Sequence, residues 1–133
     1  MNRKTIPCAA FILFKDNKIL VEKRKLDKHI SPGKIAIPGG RILENELKED
    51  AMIREAKEEL DVSVKDYSYV GTLLHTYTDV DFQVEYFLVK SWDGKIKTLE
   101  ASKLLWIAAK NYEKIDVSWD RLMIQTLRKN KLL

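Results

Sequence analysis

A segment that is predicted to be helical carries three carboxylates within a stretch of five residues. In Arg54-Glu55-Ala56-Lys57-Glu58-Glu59, the glutamates Glu55, Glu58 and Glu59 are spaced three and four residues apart. Because an α-helix turns by about 100° per residue, this spacing brings all three onto one face. Like charges at such spacing repel one another, and a divalent cation would offset the repulsion. Since Mg2+ prefers oxygen ligands and is often held by carboxylates together with substrate phosphates, the cluster predicts a metal site.

The helix that would position these acids also carries apolar residues. Ile53, Ala56 and Leu60 follow a 3-then-4 spacing and are predicted to bury the side opposite the glutamates. A second interpretation of the charged residues exists, because Asp50 and Arg54 are spaced for an i,i+4 ion pair. Taken alone, the segment is therefore also typical of a solvated helix face.

The residues that flank the helix favour the metal site. Pro38-Gly39-Gly40 precedes it, Glu46 lies six residues after Gly40, and Arg54 lies eight residues after Glu46. This segment resembles the Nudix box, which reads G, five residues, E, seven residues, and then R-E-apolar-x-E-E-x-G-apolar. The matching residues are Gly40, Glu46, Arg54, Glu55, Ala56, Glu58, Glu59 and Val62. Asp61 stands where the family has glycine, and aspartate tolerates the left-handed conformation that is common just past a helix end.

The resemblance implies a role for each matching charged residue. Nudix enzymes hydrolyse a nucleoside diphosphate linked to another group, by attack of water on phosphorus with Mg2+ or Mn2+ as cofactor. The glutamates that match Glu55, Glu58 and Glu59 hold the metal, and one of them or a distal glutamate takes the proton of the water. The arginine that matches Arg54 orients its neighbouring glutamate, and the glutamate that matches Glu46 pairs with that arginine.

Two further metal ligands are implied outside the helix. Gly39, the first glycine of the pair, would offer its carbonyl oxygen to the metal. The stretch FLVKSWDGKIKTLEASKLLW resembles the corresponding stretch of MutT-type members, with matches at Phe87, Leu88, Val89, Trp92, Gly94 and Trp106. This alignment places Glu100 where those members carry a late metal-site glutamate. The alternative interpretation of Glu100 is a loop glutamate in water.

A basic loop that precedes the box is a candidate substrate-binding segment. It contains Arg24, His29 and Lys34, and both guanidinium and ammonium groups suit phosphate oxygens. In MutT-type enzymes an arginine and a histidine of this loop contact the substrate, and Arg24 and His29 fall at similar places. Without the box, the same residues are typical of a solvated loop.

The residues expected to contact the base lie near the start of the last predicted helix. Asp120 falls where MutT-type enzymes that act on oxidised guanine nucleotides carry an Asn or Asp that reads the purine edge. A carboxylate accepts hydrogen bonds from guanine-type N–H groups, and Trp119 would stack on the ring. The alternative is that Asp120 only favours the helix dipole from the first turn. The leading expectation for the substrate is 8-oxo-dGTP.

Composition narrows the class of protein. The 133 residues are 45% hydrophobic and 33% charged, which indicates one folded domain over residues 1–133. The net charge of +4 suits an anionic substrate, and the scattered lysines argue against nucleic-acid binding. The apolar run Ile6 to Phe14 is too short to span a membrane, so we expect a cytoplasmic protein. Cys8 is the only cysteine, which excludes an internal disulfide and predicts a buried strand thiol.

Periodicity and turn residues predict an α+β fold, and the Nudix resemblance implies an α/β/α sandwich with a mixed sheet and a catalytic loop-helix-loop. Asn45 is predicted to cap the box helix. Asp116 or Ser118 is predicted to cap a final helix that ends near Lys129. His75 is predicted to be a structural residue of a strand. The predicted strands are Ile6–Phe14 and Ile19–Val21 as a hairpin, Tyr67–Tyr77, Asp81–Trp92 and Leu104–Ala108. The buried side of the final helix is predicted to comprise Leu122, Met123, Ile124, Gln125 and Leu127.

Three functions remain open at this point. The first is a MutT-like pyrophosphohydrolase that converts a nucleoside triphosphate to the monophosphate and pyrophosphate. The second is a pyrophosphatase of ADP-ribose or another dinucleotide, and the third is a non-catalytic sensor of a nucleotide or RNA. Loss of box acids would mark the sensor, and none is lost. The box contacts phosphates and not the base, so substrate identity depends on residues outside it.

Overall fold

The computed structural model describes residues 3–133. The elements, in chain order, are β1 (Lys4–Lys15), β2 (Lys18–Lys23), β3 (Ile35–Ala36), β4 (Gly39–Arg41), α1 (Lys48–Leu60), β5 (Ser63–Thr76), β6 (Val80–Asp93), β7 (Lys103–Ala108), a 3₁₀ helix (Ala109–Lys114) and α2 (Ser118–Lys129). Across these residues the strands form a seven-stranded sheet in the order β3-β2-β1-β6-β5, with β4 paired to β1 and β7 paired to β2. No helix in this part of the chain is long and apolar enough to cross a membrane.

The centre of the sheet is the parallel pair of β1 and β6, in which Ala10 lies beside Tyr86. The neighbouring pairs β1–β2 and β5–β6 are antiparallel. Each face of the central pair is covered, because α1 packs on one face and α2 on the other. Consecutive residues Tyr86 and Phe87 are therefore both fully buried, one in each core. This mixed sheet between two helices confirms the predicted α+β sandwich.

The predicted hairpin between β1 and β2 is confirmed. The two strands pair next to the turn, with Phe14 opposite Ile19. Asp16 and Asn17 form the turn with φ values of 53° and 62°. Short polar side chains such as these tolerate the left-handed region that two-residue hairpin turns require.

Cys8, in β1, is half-buried. Burial raises the pKa of its thiol to about 11. At neutral pH the sulfur is protonated and is therefore a poor nucleophile. The predicted place of Cys8 in a strand is confirmed, but its predicted burial is only partial.

The start of α1 differs from the prediction. The helix begins at Lys48 with Leu47 in the N-cap position, so the assignment of Asn45 as N-cap was wrong. Asn45 instead has a φ of 64° in the turn before the helix. Glu46 also lies before the helix, and its Oε1 accepts a hydrogen bond of 2.9 Å from the amide of Leu43. The loop is shaped by this contact and not by a side-chain cap.

The buried side of α1 also differs in part from the prediction. Ala56 and Leu60 are buried as expected, whereas Ile53 is 36% exposed. The buried residues of the helix are Ala51, Met52, Ala56, Glu59 and Leu60. One of the predicted metal-binding acids therefore lies on the buried side of the helix rather than opposite it, which places its carboxylate inside the molecule.

The last helix, α2, ends at Lys129 as predicted but has a different cap. Val117 occupies the N-cap position, so neither Asp116 nor Ser118 caps the helix. The carboxylate of Asp116 accepts a hydrogen bond of 2.8 Å from the amide of Ile35 and thereby ties the loop to β3. On the buried side, Met123, Ile124 and Leu127 are confirmed, Leu122 and Gln125 are exposed, and Asp120 is buried.

The end of α1 explains how Asp61 replaces the glycine of the box. Asp61 adopts the left-handed conformation, with φ of 57° and ψ of 37°, and its amide bonds to the carbonyl of Lys57. Its carboxylate lies 2.9 Å from the Lys57 Nζ and 3.0 Å from the Lys97 Nζ. The two ion pairs offset the conformational cost that a residue with a Cβ atom meets in this region.

We predict that Asp61→Ala destabilises the protein more than Asp61→Gly does. Alanine loses both ion pairs and keeps the left-handed strain, whereas glycine loses the ion pairs and removes the strain. The glycine variant should exceed the alanine variant by about 1 kcal/mol in the free energy of unfolding, measured by urea denaturation. Equal stability of the two variants would show that the backbone conformation at this position carries no cost.

Candidate active site

A pocket of about 450 Å³ opens between the loop at residues 24–31, strand β4, α1 and the start of α2. Carboxylates of Glu22, Glu55, Glu59 and Glu100 line one part of it, and Asp120 lines another. The pocket thus joins the box helix to the region in which the base contact is predicted.

Three of the carboxylates form a cluster that fits a metal ion. Glu55, Glu59 and Glu100 each offer an oxygen, and these atoms all lie within 4.8 Å of one another. Glu59 is 7% exposed, and its buried Oε2 has no hydrogen-bond partner among residues 3–133. A buried carboxylate oxygen without a partner is costly, and a hard divalent cation would supply the missing interaction. The residues therefore fit the implied divalent cation.

Glu58, which is also a predicted ligand, lies at the edge of this cluster. Its Oε2 is 3.1 Å from the Nη1 of Arg54, and its side chain is 49% exposed. It lines the pocket but is turned toward the arginine. Its place on the helix, one residue before Glu59, points it about 100° away from the buried carboxylate.

The two glycines before the helix leave room for this arrangement. A Cβ atom on Gly40 would collide with the carboxylate of Glu55, and one on Gly39 would come within 2.5 Å of the carbonyl oxygen of Ala9. Gly39 lines the pocket, as expected for the residue whose carbonyl is predicted to bind metal.

Arg54 connects the helix to the preceding loop. Its Nε and Nη2 donate to the two carboxylate oxygens of Glu46 at 2.8 and 3.0 Å, and its Nη1 donates to Glu55 at 2.9 Å. Nη2 also donates to the carbonyl of Arg41 at 2.9 Å. Among the described residues, Asp50 forms no ion pair with Arg54, so the alternative surface pair was wrong.

The direction in which the pKa of each of these acids shifts depends on how deeply its carboxyl group is buried. Hydrogen bonds from Arg54 lower the pKa of Glu46 to about 2. Burial, followed by the charges of Glu22, Glu55 and Glu100, raises the pKa of Glu59 to about 10. Burial also raises the pKa of Glu55, although Arg54 opposes the change. Glu59 is therefore held uncharged at neutral pH until a cation replaces its proton.

Glu22 is a pocket acid that the sequence analysis missed. It lies in β2, is 5% exposed, and its Oε2 is 3.5 Å from the Nη1 of Arg24. Burial raises its pKa to about 7. The strand alternation offered a signal, because Glu22 follows the buried Leu20 by two residues and must share its face of the sheet.

The structure separates the predicted substrate-binding residues into two groups, and Trp119, the predicted base-stacking residue, does not line the pocket that Asp120 lines. Arg24 and His29 line the pocket, and the Arg24 Nε donates to the carbonyl of Ile30 at 2.9 Å. Lys34 and Trp119 line an adjacent depression of about 310 Å³. The two cavities share Ser31 at their common border, together with Tyr77 and Val117.

Asp120 lies in the first turn of α2, is 5% exposed and lines the pocket. Its Oδ2 accepts from the amide of Ile37 at 3.0 Å, and its Oδ1 accepts from the hydroxyl of Tyr86 at 2.5 Å. Burial raises the pKa of Asp120 to about 6. Asp120 therefore lies both in the first turn of the helix and in the pocket wall, so its two interpretations do not exclude each other.

The fold and the acidic pocket together define a class of hydrolase that acts on phosphoanhydride bonds with the help of divalent cations. The NUDIX domain family model matches residues 4–127, and the chain belongs to the Nudix family. Members of this family generally use divalent metal ions.

Individual relatives agree with this assignment. The chain is 29% identical over 103 residues to an 8-oxo-dGTP diphosphatase of Proteus vulgaris. The aligned residues cover 77% of this chain and 91% of the relative. It is 25% identical over 122 residues to an 8-oxo-dGTP diphosphatase of Buchnera aphidicola subsp. Acyrthosiphon pisum, which covers 91% and 95% of the two chains.

Solved structures show the same fold at lower sequence identity. A MutT NUDIX hydrolase from Burkholderia pseudomallei is similar with a TM-score of 0.85 and 20% identity, over 92% of this chain and 97% of that chain. A MutT protein from Methanosarcina mazei Go1 is similar with a TM-score of 0.88 and 15% identity, over 98% of each chain.

We predict that Glu59→Gln stabilises the protein when divalent cations are removed by a chelator. The unfolded chain ionises Glu59 near its usual pKa of 4.5, while the folded chain raises this pKa to about 10. Native stability is therefore lost as the pH rises above 4.5, by up to about 1.4 kcal/mol per pH unit. Glutamine does not titrate, so its advantage should increase from pH 5 to pH 8 in urea denaturation.

The control for this experiment is Glu58→Gln, which changes a side chain that is 49% exposed. This variant should show no comparable increase of stability with pH. A Glu59→Gln protein that is no more stable than the parent at pH 8 would contradict the buried, cation-seeking role of Glu59.

Proposed function

We propose that this Nudix protein is a Mg2+-dependent pyrophosphohydrolase of the MutT type, with 8-oxo-dGTP as its leading substrate. The observation that carries the proposal is the cluster of Glu55, Glu59 and Glu100 in the wall of the pocket. The two curated relatives described above carry the name 8-oxo-dGTP diphosphatase, which supports the choice of substrate.

The reaction consumes water at a phosphoanhydride. The water oxygen forms a bond to phosphorus, the P–O bond to the pyrophosphate breaks, and the nucleoside monophosphate and pyrophosphate leave. Bound Mg2+ would supply positive charge against the charge that builds on the phosphate oxygens. Glu55, Glu59 and Glu100, with Gly39 through its carbonyl, are the groups that would hold the ion, while Glu58 is at the edge of the set.

The remaining residues position the reactants. Arg54 holds the carboxylate of Glu55, and Glu46 in turn holds Arg54 in a two-point contact. A glutamate of the cluster accepts the proton of the water. Arg24 and His29 face the pocket and would bind phosphate oxygens, because both offer N–H donors to an anion.

The base is proposed to lie near Asp120. The carboxylate would accept from N–H groups of the purine edge. Lys34 and Trp119 lie in the adjacent depression, so they would contact only a part of the nucleotide that extends past Ser31. The ring of Trp119 stacks on that of His75 at 5.9 Å, which leaves its other face for a ligand.

We also infer that residues 1–133 act as one domain, because the two hydrophobic cores share strands β1 and β6. The expected partner is a small nucleotide and not a nucleic acid or a membrane. A nucleotide substrate is consistent with action in the cytoplasm.

We predict that pyrophosphate release from 8-oxo-dGTP requires Mg2+ and is nearly abolished by Glu59→Gln. The assay compares 8-oxo-dGTP, dGTP, dCTP and ADP-ribose, with monophosphate and pyrophosphate measured as products. Full turnover in excess chelator would overturn the metal requirement. Faster cleavage of ADP-ribose would favour the dinucleotide function, and binding of nucleotide without any product would favour the sensor.

We predict that Arg54→Lys lowers kcat by about 10- to 100-fold and changes KM far less. A lysine keeps the charge but cannot hold Glu46 at two points and Glu55 at a third. Asp50→Asn is the control, since Asp50 does not pair with Arg54, and it should retain full turnover. Unchanged kcat in the lysine variant would show that the contacts of the guanidinium do not organise the site.

We predict that Asp120→Ala and Asp120→Asn lower the preference for 8-oxo-dGTP over dCTP by about tenfold or more, the loss expected for a hydrogen bond to a charged group. The ratio of kcat/KM values for 8-oxo-dGTP, dGTP and dCTP measures the change. If the rates for all three nucleotides fall by the same factor, Asp120 does not read the base.

A further inference from the structure

A continuous chain of hydrogen bonds joins two residues of the pocket wall, His75 and Asp120, through the buried hydroxyl of Tyr86. The Nε2 of His75 in β5 lies 2.8 Å from the hydroxyl of Tyr86 in β6, and that hydroxyl lies 2.5 Å from the Oδ1 of Asp120 in α2. The three residues are 7%, 0% and 5% exposed. The phosphate chemistry described above uses neither His75 nor Tyr86.

The chain has a direction because a phenol carries a single hydrogen. That hydrogen is donated to Asp120, so the oxygen of Tyr86 must accept from His75. His75 therefore carries a hydrogen on Nε2. Burial lowers the pKa of His75 to about 4, which agrees with a neutral ring at physiological pH.

The hydrogen bonds that Asp120 accepts from the protein determine whether its carboxyl group can donate to a ligand or only accept from it. Both of its oxygens already accept a hydrogen bond, Oδ1 from Tyr86 and Oδ2 from the amide of Ile37. Such donors stabilise the ionised carboxylate. An ionised carboxylate has only acceptor sites left for the pocket, whereas a protonated one would also donate.

We infer that His75 and Tyr86 are positioning residues that keep Asp120 a hydrogen-bond acceptor, so that the pocket selects bases that present N–H donors. The inference rests on the proposed function and adds to it the two residues that keep Asp120 an acceptor. Guanine-type bases carry a ring N–H and an exocyclic amine, whereas hypoxanthine lacks the amine. The enzyme should therefore discriminate between dGTP and dITP.

A buried hydrogen-bond chain with every member paired favours a single arrangement of its side chains, because a buried polar group without a partner costs free energy. Replacement of Tyr86 by phenylalanine leaves the ring in place and removes the hydroxyl. Asp120 then loses one donor and His75 loses its acceptor, while the acidic cluster at Glu55, Glu59 and Glu100 is untouched. A change in base selection would thus be separable from a change in phosphate chemistry.

The test compares kcat/KM for dGTP and dITP in the parent and in Tyr86→Phe. We expect the parent to prefer dGTP and Tyr86→Phe to reduce this preference by about tenfold. His75→Gln keeps an N–H donor and should retain most of the preference, whereas His75→Phe should lose it. A merely structural role would change thermal stability and both rates together, and would leave the ratio unchanged.

The tautomer of His75 gives a measurement that needs no substrate. Nitrogen-15 chemical shifts of the ring in the folded parent protein should show hydrogen on Nε2 and none on Nδ1. Hydrogen on Nδ1, or a Tyr86→Phe ratio equal to that of the parent while Asp120→Asn changes it, would overturn the inference. Absence of turnover with every nucleotide would overturn the proposed function instead, and the His75 tautomer would still test the hydrogen-bond chain.

Discussion

The guanidinium of Arg54 lies between the loop and the helix that together form the box. It binds both oxygens of Glu46, one oxygen of Glu55 and the carbonyl of Arg41. A planar group with five donors can hold these acceptors at once, which an ammonium group cannot do. The carboxylate cluster of Glu55, Glu59 and Glu100 depends on this contact, because it determines where the carboxylate of Glu55 lies relative to Glu59.

Burial of acids is the main cost of the site. Glu59 and Glu22 are both more than nine-tenths buried, and burial raises the pKa of each. Without a cation, an uncharged side chain at either position would suit the fold better. Perturbed carboxyl groups that converge in a pocket are typical of functional sites, where stability is lost in favour of chemistry.

Small residues line part of the pocket, namely Ala9, Ala10, Ala36 and the glycine pair. The glycines allow a close approach, because a Cβ atom on Gly39 would meet the backbone of Ala9 and Ala10 and one on Gly40 would meet the carboxylate of Glu55. Ala9 packs in the core under α1 and Ala10 in the core under α2. The pocket therefore reaches both sides of the sheet, with the acidic cluster of α1 on one side and Asp120 of α2 on the other.

Local patterns of the sequence were enough to predict the β1–β2 hairpin, the presence of the long strands, helix α1 and the acids that it carries, although β5 begins at Ser63, four residues before the predicted start. These features depend on residues within one or two turns of each other, so residue type and spacing specify them. The cap of α1 was missed because the helix begins only at Lys48, and Glu46 before it is bonded to Leu43 and Arg54, a contact that spacing alone does not predict. Contacts between distant segments were decided only by the tertiary structure. The resemblance implied that Glu100 belongs to the metal site, but only the fold brings its carboxylate beside those of Glu55 and Glu59 across more than forty residues. Glu22, which the sequence did not single out, comes to the pocket from β2. The chain from His75 through Tyr86 to Asp120 spans three elements that no local periodicity relates, because hydrogen bonds between them form only when the sheet pairs and α2 packs on it.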